Sequence, residues 1–333
     1  MSNNATDSQN SLRRLCIIGP TASGKSELAA ALAARTGSRV ISADARQCYK
    51  YLDIATAKPE PELLQKAPHH YISELPPGSF DEPRLSETAA DFRRRCDSWE
   101  ARHKAIILRQ KGDAAPFPPV IYAGGSTLYL QAVLFNLDDA PRANPEHLDE
   151  LQAEADQKGL EILYQRLKQV DPDYVQRIDG MNRHRIFRAL DVYMQTGKPF
   201  SSFHKRADFE QPRPGSDVFM LDWPRPMLHE RINTRVDRMM QAGLIEEVEG
   251  LLQWLPEEAQ ALQTVGYREV IAHLKGRLSR EQMIADIKTN TRRYAKRQLT
   301  WFRRWPFVKL LRPAEQSFES MLETLMRAAT PSP

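Results

Sequence analysis

The chain has 333 residues, of which 27% are charged and 41% are hydrophobic. This composition is typical of a globular protein and excludes a fibrous or globally disordered chain. No apolar run approaches the roughly eighteen residues of a membrane-spanning helix. The net charge of +4 is too small to indicate a partner by itself. The three cysteines, Cys16, Cys48 and Cys96, have neither disulfide nor zinc-ligand spacing, which favours reduced thiols in the cytoplasm.

The first predicted strand is the apolar run RLCIIG, which leads into the phosphate-loop pattern G-x-x-x-x-G-K-S and then into a helix over residues 25–36. Backbone N–H groups of such a loop surround phosphate oxygens, the lysine adds a positive charge, and the serine hydroxyl suits Mg²⁺. The pattern identifies a phosphate site but does not identify a reaction. The predicted diphosphate- or nucleotide-binding residues are Gly19, Pro20, Thr21, Ala22, Ser23, Gly24, Lys25 and Ser26, with Ser26 as the metal ligand.

Two further predicted strands deliver polar residues to the same place. SRVISAD ends at Asp44, and PPVIYAGGS ends in two glycines and Ser126. Because the carboxyl ends of parallel strands share one edge of a sheet, these loops are expected to meet the phosphate loop. Asp44 is then either a turn former or a general base, and Ser126 is a helix N-cap, a site hydroxyl or both. A nucleotide-hydrolysing enzyme usually has a metal-binding acid after such a strand, and only Asp44 or Asp222 could supply one here.

Alternating strands and helices predict an α/β fold, namely a P-loop NTPase-like parallel sheet flanked by helices, with an inserted all-helical domain. Residues 1–11 are polar without an apolar core, so we expect a disordered tail there and not a secretory signal. The predicted core domain with its C-terminal helices comprises residues 12–140 and 206–315. The insertion spans residues 141–205, and residues 316–333 form a last helix and a frayed tail.

A strand is predicted within SDVFMLDWPR, followed by helices over residues 227–254 and 280–304. In the first of these spans Arg231, Arg235 and Arg238 lie on one face, which is either solvated or a clamp for a diphosphate. In IKTNTRRYAKRQLTWFRRW, basic residues repeat four apart between aromatic ones. That pattern is either a core face with a solvated basic face or a surface that follows nucleic-acid phosphates.

Taken together, GPTASGKS, ISADARQCYKYLDIATAKP, APHHYI, ADFRR, GGSTLYLQAVL, TVGYRE and RRYAKRQLTWFRRW resemble the tRNA dimethylallyltransferase family, also called tRNA isopentenyltransferases. The segments occur in the family's order over about residues 12–310. The resemblance implies transfer of a dimethylallyl group from dimethylallyl diphosphate to N6 of the adenosine 3′-adjacent to the anticodon, position 37 of tRNA, with release of diphosphate. It implies Mg²⁺ as cofactor and the tRNA anticodon stem-loop as partner.

The resemblance also assigns roles to residues. Lys25 and the loop amides bind the diphosphate, Arg231 neutralises the leaving group, and Asp44 is the general base on the adenine amine. Ser126 stands where the family usually has Thr, and its hydroxyl is expected to preserve function. The tRNA-binding residues that the resemblance implies are Asp44, Ala45, Arg46, Gln47 and Ser126 around the target base, Arg183, His184, Arg185, Ile186 and Phe187 on the anticodon loop, and Gln263, Thr264, Val265, Gly266, Tyr267 and Arg268 near the channel.

Two departures from the family pattern concern the loop after the second strand. Ala45 stands where the family frequently has Ser, and Ala55 stands where it usually has Gly. The chain has no C-terminal Cys/His zinc-finger extension, which favours a bacterial-type enzyme, and no coiled-coil signal, so a monomer is expected. Two other functions fit the phosphate loop: a nucleoside or small-molecule kinase that uses ATP, and an RNA-binding protein without catalytic activity.

Overall fold

The computed structural model describes residues 12–80, 87–111, 117–135, 140–203 and 211–330. Its described strands form one parallel six-stranded sheet in the order β3-β2-β4-β1-β5-β6. The predicted parallel α/β fold is therefore confirmed. The strands are β1 Arg14–Ile18, β2 Arg39–Ala43, β3 His69–His70, β4 Val120–Gly124, β5 Ser216–Leu221 and β6 Lys309–Leu311.

Helices follow the strands as the alternating pattern predicts. They are α1 Lys25–Thr36, α2 Pro61–Leu64, α3 Ala89–Lys111, α4 Thr127–Leu134, α5 Pro145–Lys158, α6 Leu160–Val170, α7 Pro172–Val175, α8 Arg183–Thr196, α9 Arg225–Gln241, α10 Leu244–Leu252, α11 Tyr267–Leu274, α12 Arg280–Phe302 and α13 Phe318–Ala329. Short 3₁₀ turns cover Phe200–Ser202 and Gln260–Leu262. Within these described ranges, no helix is both long and apolar enough to cross a membrane.

Both faces of the sheet are covered, because successive residues of the central strand β1 enter different cores. Cys16 and Ile18 belong to one buried cluster, whereas Leu15 and Ile17 belong to another. Side chains alternate between the two faces of a strand, so a strand buried on both faces must be apolar throughout. This requirement explains why RLCIIG reads as a continuous apolar run.

The structure corrects one helix and adds two strands. The predicted helical span 227–254 is two helices, α9 and α10, because Gly243 between them takes a left-handed conformation with φ +89°. Strands β3 and β6 contain only two and three residues. Such short segments carry no alternating pattern, so sequence periodicity could not reveal them.

The chain divides into two compact units, one formed by residues 1–135 and 209–333 and the other by residues 136–208. The predicted insertion, 141–205, falls inside the second unit, whose described residues are helical with no strand. Its own core includes Leu163, Leu167 and Leu190. The tails expected at residues 1–11 and 331–333 lie outside the described residues.

A buried ion pair ties the first strand to α3. The Arg14 guanidinium donates to both Glu100 carboxylate oxygens, at 2.7 and 2.5 Å, and the Tyr122 hydroxyl donates to Glu100 at 2.7 Å. Removing one partner leaves the other charge buried and unpaired, so we expect Glu100→Ala to reduce the free energy of unfolding by about 3–5 kcal/mol in urea titrations. The matched control is Glu319→Ala, which removes an exposed ion pair with Arg35. It should change the free energy of unfolding much less than Glu100→Ala does. Equal losses in both variants would contradict this account.

Candidate active site

The phosphate loop lies between β1 and α1, and two of its residues have backbone conformations that turn it sharply. Gly24, the residue before α1, has φ +93°, and Ala22 has φ +62°. Glycine takes such a conformation without strain, which accounts for the glycine before Lys25. The Lys25 Nζ atom donates to the Pro20 carbonyl at 2.6 Å and to the Ser23 hydroxyl at 3.4 Å. The lysine side chain is therefore folded over its own loop.

Side chains from α9 and from the residues just before it hold this loop in place. The Trp223 indole N–H donates to the Ser23 carbonyl at 2.8 Å, and the Arg231 Nε–H donates to the Ala22 carbonyl at 2.8 Å. The Arg231 guanidinium also lies over the Trp223 ring, 4.4 Å from its centroid. Arg235 Nη1 donates to the Thr21 hydroxyl at 3.1 Å. The arginine face of α9 therefore contacts the phosphate loop and is not simply a solvated surface.

These positive groups share one cleft of about 1050 Å³. Its walls are residues 22–27 of the phosphate loop, residues 53–64 of the following loop region and the α9 face that includes Arg238. Burial, together with the neighbouring Arg235 guanidinium, lowers the pKa of Lys25 to about 8, and burial also lowers the pKa of Arg235. Cations held this close together are stabilised when an anion enters, so the cleft is suited to a diphosphate.

Asp44 and Ser126 lie together beside this cleft, after β2 and β4. The Asp44 Oδ1 atom accepts N–H hydrogen bonds from Arg46 at 2.9 Å and Gln47 at 3.3 Å, while the Ser126 hydroxyl accepts the Ala45 N–H at 2.8 Å. Ser126 occupies the N-cap position of α4, yet its side chain makes no cap hydrogen bond. The Asp44 charge opposes the fall in the Lys25 pKa, which places its carboxylate within electrostatic range of the cleft.

Gly124, the last residue of β4, is required by close packing, because a Cβ atom on it would lie 2.1 Å from the Ala43 carbonyl oxygen. A Cβ atom on Gly125 would lie 2.2 Å from Nε2 of the Gln298 side chain and 3.1 Å from the Gly19 carbonyl oxygen. The two glycines let the ends of three strands approach one another.

Two residues of α12 that the sequence interpretation did not assign to the site also reach this place. Burial and the Asp44 charge raise the pKa of Tyr294 to about 12. Gln298, four residues further on, is almost fully buried and contacts both Thr21 and Gly125. Part of the aromatic and basic helix therefore lines the site, which the spacing of its basic residues alone could not indicate.

The loop after Asp44 is held by its own hydrogen bonds and by α10. The Gln47 side-chain amide donates to the carbonyls of Thr56 and Ala57 and accepts from Ser42, so this side chain supports the loop. The Glu247 carboxylate accepts the backbone N–H groups of residues 53 and 54. A Cβ atom on Gly266 would lie 2.8 Å from the Ala55 Cβ, so a glycine faces the alanine that departs from the family pattern.

The predicted tRNA-binding segments divide into exposed and buried side chains. Ile186, Phe187 and Tyr267 are buried, and the Tyr267 hydroxyl donates to Glu247 at 2.8 Å. All three side chains fill cores, and their assignment to tRNA stays a prediction. The exposed side chains in the two segments are those of Arg183, His184, Arg185, Gln263 and Arg268.

In the ranges described above, no three His, Cys, Asp or Glu side chains are grouped so that they could hold a metal ion. Asp222, which could have supplied an acid, pairs with Arg303 at 3.6 Å. Mg²⁺ at phosphate sites commonly takes one or two protein oxygens and completes its shell with substrate phosphates and water. The Ser26 hydroxyl, which lines the cleft beside Glu27, fits that smaller requirement.

Residues 47–305 match a family model described as IPP transferase. The chain belongs to the IPP transferase family. Two relatives of this IPP transferase are named tRNA dimethylallyltransferase. The one from Trichlorobacter lovleyi is 43% identical over 306 residues, or 92% of this chain and 95% of that protein. The one from Myxococcus xanthus is 40% identical over 297 residues, or 89% of this chain and 91% of that protein.

Solved structures show the same relationship for this IPP transferase. A tRNA delta(2)-isopentenylpyrophosphate transferase from Staphylococcus epidermidis is 31% identical with a TM-score of 0.65, covering 95% of this chain and 98% of that one. A eukaryotic dimethylallyltransferase acting on tRNA is 25% identical with a TM-score of 0.75, covering 95% of this chain and 78% of that one. The family recognition and the P-loop-like fold are both confirmed.

Proposed function

We propose that this IPP transferase moves a dimethylallyl group from dimethylallyl diphosphate to N6 of the adenosine at position 37 of tRNA and releases diphosphate. The observation that carries the proposal is the meeting of a cationic phosphate loop with Asp44 and Ser126 at one edge of the sheet. The phosphate loop suits a diphosphate that leaves, and the neighbourhood of Asp44 and Ser126 suits an amine that loses a proton. The names of the relatives, which match most of the chain, support the same reaction.

In this reaction the allylic carbon–oxygen bond breaks, its electron pair stays on the diphosphate, and a bond forms between N6 and that carbon. The N6 proton passes to the Asp44 carboxylate. Lys25, Arg231 and the loop amides stabilise the charge that develops on the leaving diphosphate. Mg²⁺, held by Ser26 and the diphosphate oxygens, would add to that neutralisation when bound. Positioning contributes as well, because an exocyclic amine is a weak nucleophile.

The tRNA must present an unstacked adenosine, because an amine within a stacked loop cannot reach a carbon in a cleft. We assign the segment from Asp44 to Gln47 and Ser126 to the surroundings of that base. Arg183, His184 and Arg185 are assigned to the anticodon loop, with Gln263 and Arg268 near the channel. One chain supplies every group assigned here, so we propose a monomer, acting in the cytoplasm where tRNA is found.

The kinase alternative draws no support from the family match. Phosphoryl transfer by a P-loop enzyme usually needs an acid after a later strand to hold the metal. Here β4 ends at Gly124, where a Cβ atom would clash with the Ala43 carbonyl oxygen, and Asp222 after β5 is paired with Arg303. The RNA-binding alternative leaves the cleft at the phosphate loop without a purpose.

The proposal is tested by incubating the protein with dimethylallyl diphosphate and an unmodified anticodon stem-loop, followed by nucleoside analysis of the RNA. We expect one dimethylallyl group on adenosine 37 and one diphosphate released per product. A stem-loop with guanosine at that position is the control and should remain unmodified. An unaltered adenosine under conditions where both substrates bind would refute the proposal.

The pH dependence of donor binding follows from the Lys25 pKa. The second pKa of a phosphate group is about 6, so the donor keeps its negative charge above pH 7. Lys25 loses its charge as the pH rises through about 8. We therefore expect the dissociation constant for dimethylallyl diphosphate to rise between pH 7 and 9, with proton uptake on binding in titration calorimetry. Lys25→Arg keeps its charge and should abolish this dependence, and an unchanged profile in that variant would contradict the assignment.

The exposed arginines at the start of α8 are expected to contact tRNA phosphates. Replacing both Arg183 and Arg185 by Gln should weaken tRNA binding and reduce the slope of log affinity against log salt by about 1 per lost contact, without changing the rate at saturating tRNA. Filter binding over a range of salt concentrations measures the slope. Arg166→Gln, an exposed arginine of the same unit paired with Glu154, is the control. Equal slopes in the double variant and the control would exclude these contacts.

A further inference from the structure

A glutamine from α12 bridges the two halves of the site. Gln298 is 3% exposed, and its side-chain Oε1 accepts the Thr21 N–H at 3.0 Å. Its Nε2 donates to the Gly125 carbonyl at 2.8 Å. Thr21 belongs to the phosphate loop, whereas Gly125 immediately precedes Ser126. One side-chain amide therefore joins the loop that faces the donor to the loop that faces the acceptor.

The contact is specific to this side chain. A primary amide is uncharged and both donates and accepts, so it satisfies a backbone N–H and a backbone carbonyl at once. The amide packs directly on Gly125, since a Cβ atom there would lie 2.2 Å from Gln298 Nε2. The two loops follow neighbouring strands, since Ile18 of β1 pairs with Gly124 of β4. The sheet pairing fixes the two strand ends, and the bridge fixes where Thr21 of the phosphate loop lies relative to Gly125.

A second residue of α12 lies near the acceptor loop. Tyr294 lies one helical turn before Gln298, on the same face of the helix, and burial together with the Asp44 charge raises its pKa. Ser126, which follows Gly125, accepts the Ala45 N–H beside Asp44. Helix α12 therefore contacts the phosphate loop through Gln298, and both Gln298 and Tyr294 lie close to the surroundings of the general base.

We infer that Gln298 is a positioning residue that sets the donor carbon against the acceptor amine, and this inference rests on the proposed function. Without the bridge each loop keeps the groups that bind its own substrate, but the distance between the loops is no longer fixed. A misplacement of about 1 Å costs on the order of 100-fold in rate. The effect therefore falls on the transfer step and not on the affinity for either substrate.

The test compares Gln298→Met, which has a similar length and no amide, with Gln298→Glu. We expect Gln298→Met to lower the single-turnover rate at saturating substrates by about 100-fold. The KM for dimethylallyl diphosphate and the Kd for tRNA should stay close to wild type. Gln165→Met, at an exposed glutamine of α6, controls for the substitution. Circular dichroism and thermal melting show whether each variant is folded.

Gln298→Glu provides a rate measurement that would not change with pH if Gln298 had a purely structural role. Burial favours the protonated carboxyl, which can donate to Gly125 and accept from Thr21 as the amide does. The ratio of the Gln298→Glu rate to the wild-type rate at the same pH should be higher at pH 6 than at pH 8. Gln298→Met should show no such recovery.

Three results would overturn the inference: an unchanged rate in Gln298→Met, a loss confined to substrate affinity, or no recovery of Gln298→Glu at low pH. A wild-type protein that transfers no dimethylallyl group would refute the proposed function itself. Since the wild-type reaction is measured in the same series, the two failures are distinguishable.

Discussion

Asp44→Asn is expected to lower the single-turnover rate of dimethylallyl transfer by about 10²–10⁴-fold, the usual contribution of a general base. The Asn side-chain oxygen can still accept the N–H groups of Arg46 and Gln47, so the turn is preserved. Its amide cannot take the N6 proton. Affinity for tRNA and thermal stability should therefore remain near wild type, as measured by filter binding and thermal melting.

The control for this variant is Asp97→Asn. Asp97 is a partly exposed carboxylate of α3 that pairs with Arg93 and Arg213, outside the site. It should keep a wild-type rate. If Asp44→Asn also kept a near-wild-type rate, Asp44 would not be the base. A loss of tRNA binding equal to the loss of rate would instead assign Asp44 to recognition alone.

Lys25→Met is expected to lower the rate by about 10²–10³-fold, as for removal of one donor that stabilises developing negative charge. The variant should not be less stable than wild type. Burial and Arg235 already disfavour the Lys25 ammonium, as its lowered pKa shows, so an uncharged side chain relieves that cost. Single-turnover kinetics and thermal melting on the same samples separate the two effects.

Lys288→Met provides the matched control for Lys25→Met. Lys288 pairs with Asp237 at 2.6 Å between α12 and α9 and does not line the cleft. Its replacement should leave the transfer rate unchanged. If both variants lost activity to the same extent, the loss would be due to the overall positive charge of the protein and not to the position of Lys25 in the phosphate loop.

The features that could be predicted from the sequence are those set by short-range requirements. The phosphate loop is recognisable because each of its positions has its own backbone or charge requirement, as Gly24 shows with its left-handed conformation. The convergence of Asp44 and Ser126 follows from the geometry of parallel strands. Even so, the sequence left open whether Ser126 caps α4, and the structure shows its hydroxyl accepting the Ala45 N–H instead.

Contacts between distant segments could not be predicted in this way. Gln298 bonds to Thr21 across 277 positions, and nothing in its local pattern marks it. Tyr267 was assigned to RNA by resemblance, yet it is buried and bonds to Glu247. A matched motif shows that a position matters to the family. It does not show whether the residue there touches the substrate or instead supports a loop that touches the substrate.

The central claim is that the phosphate loop binds a diphosphate that leaves, and not an ATP molecule that donates a phosphoryl group. The most direct measurement supplies unmodified tRNA with dimethylallyl diphosphate labelled in its allyl group and ATP labelled at its γ-phosphate, both in one reaction. We predict that the allyl label alone enters tRNA, that one diphosphate is released per label, and that Lys25→Met reduces this transfer. Appearance of the γ-phosphate label in any acceptor, with no allyl label in tRNA, would contradict the account.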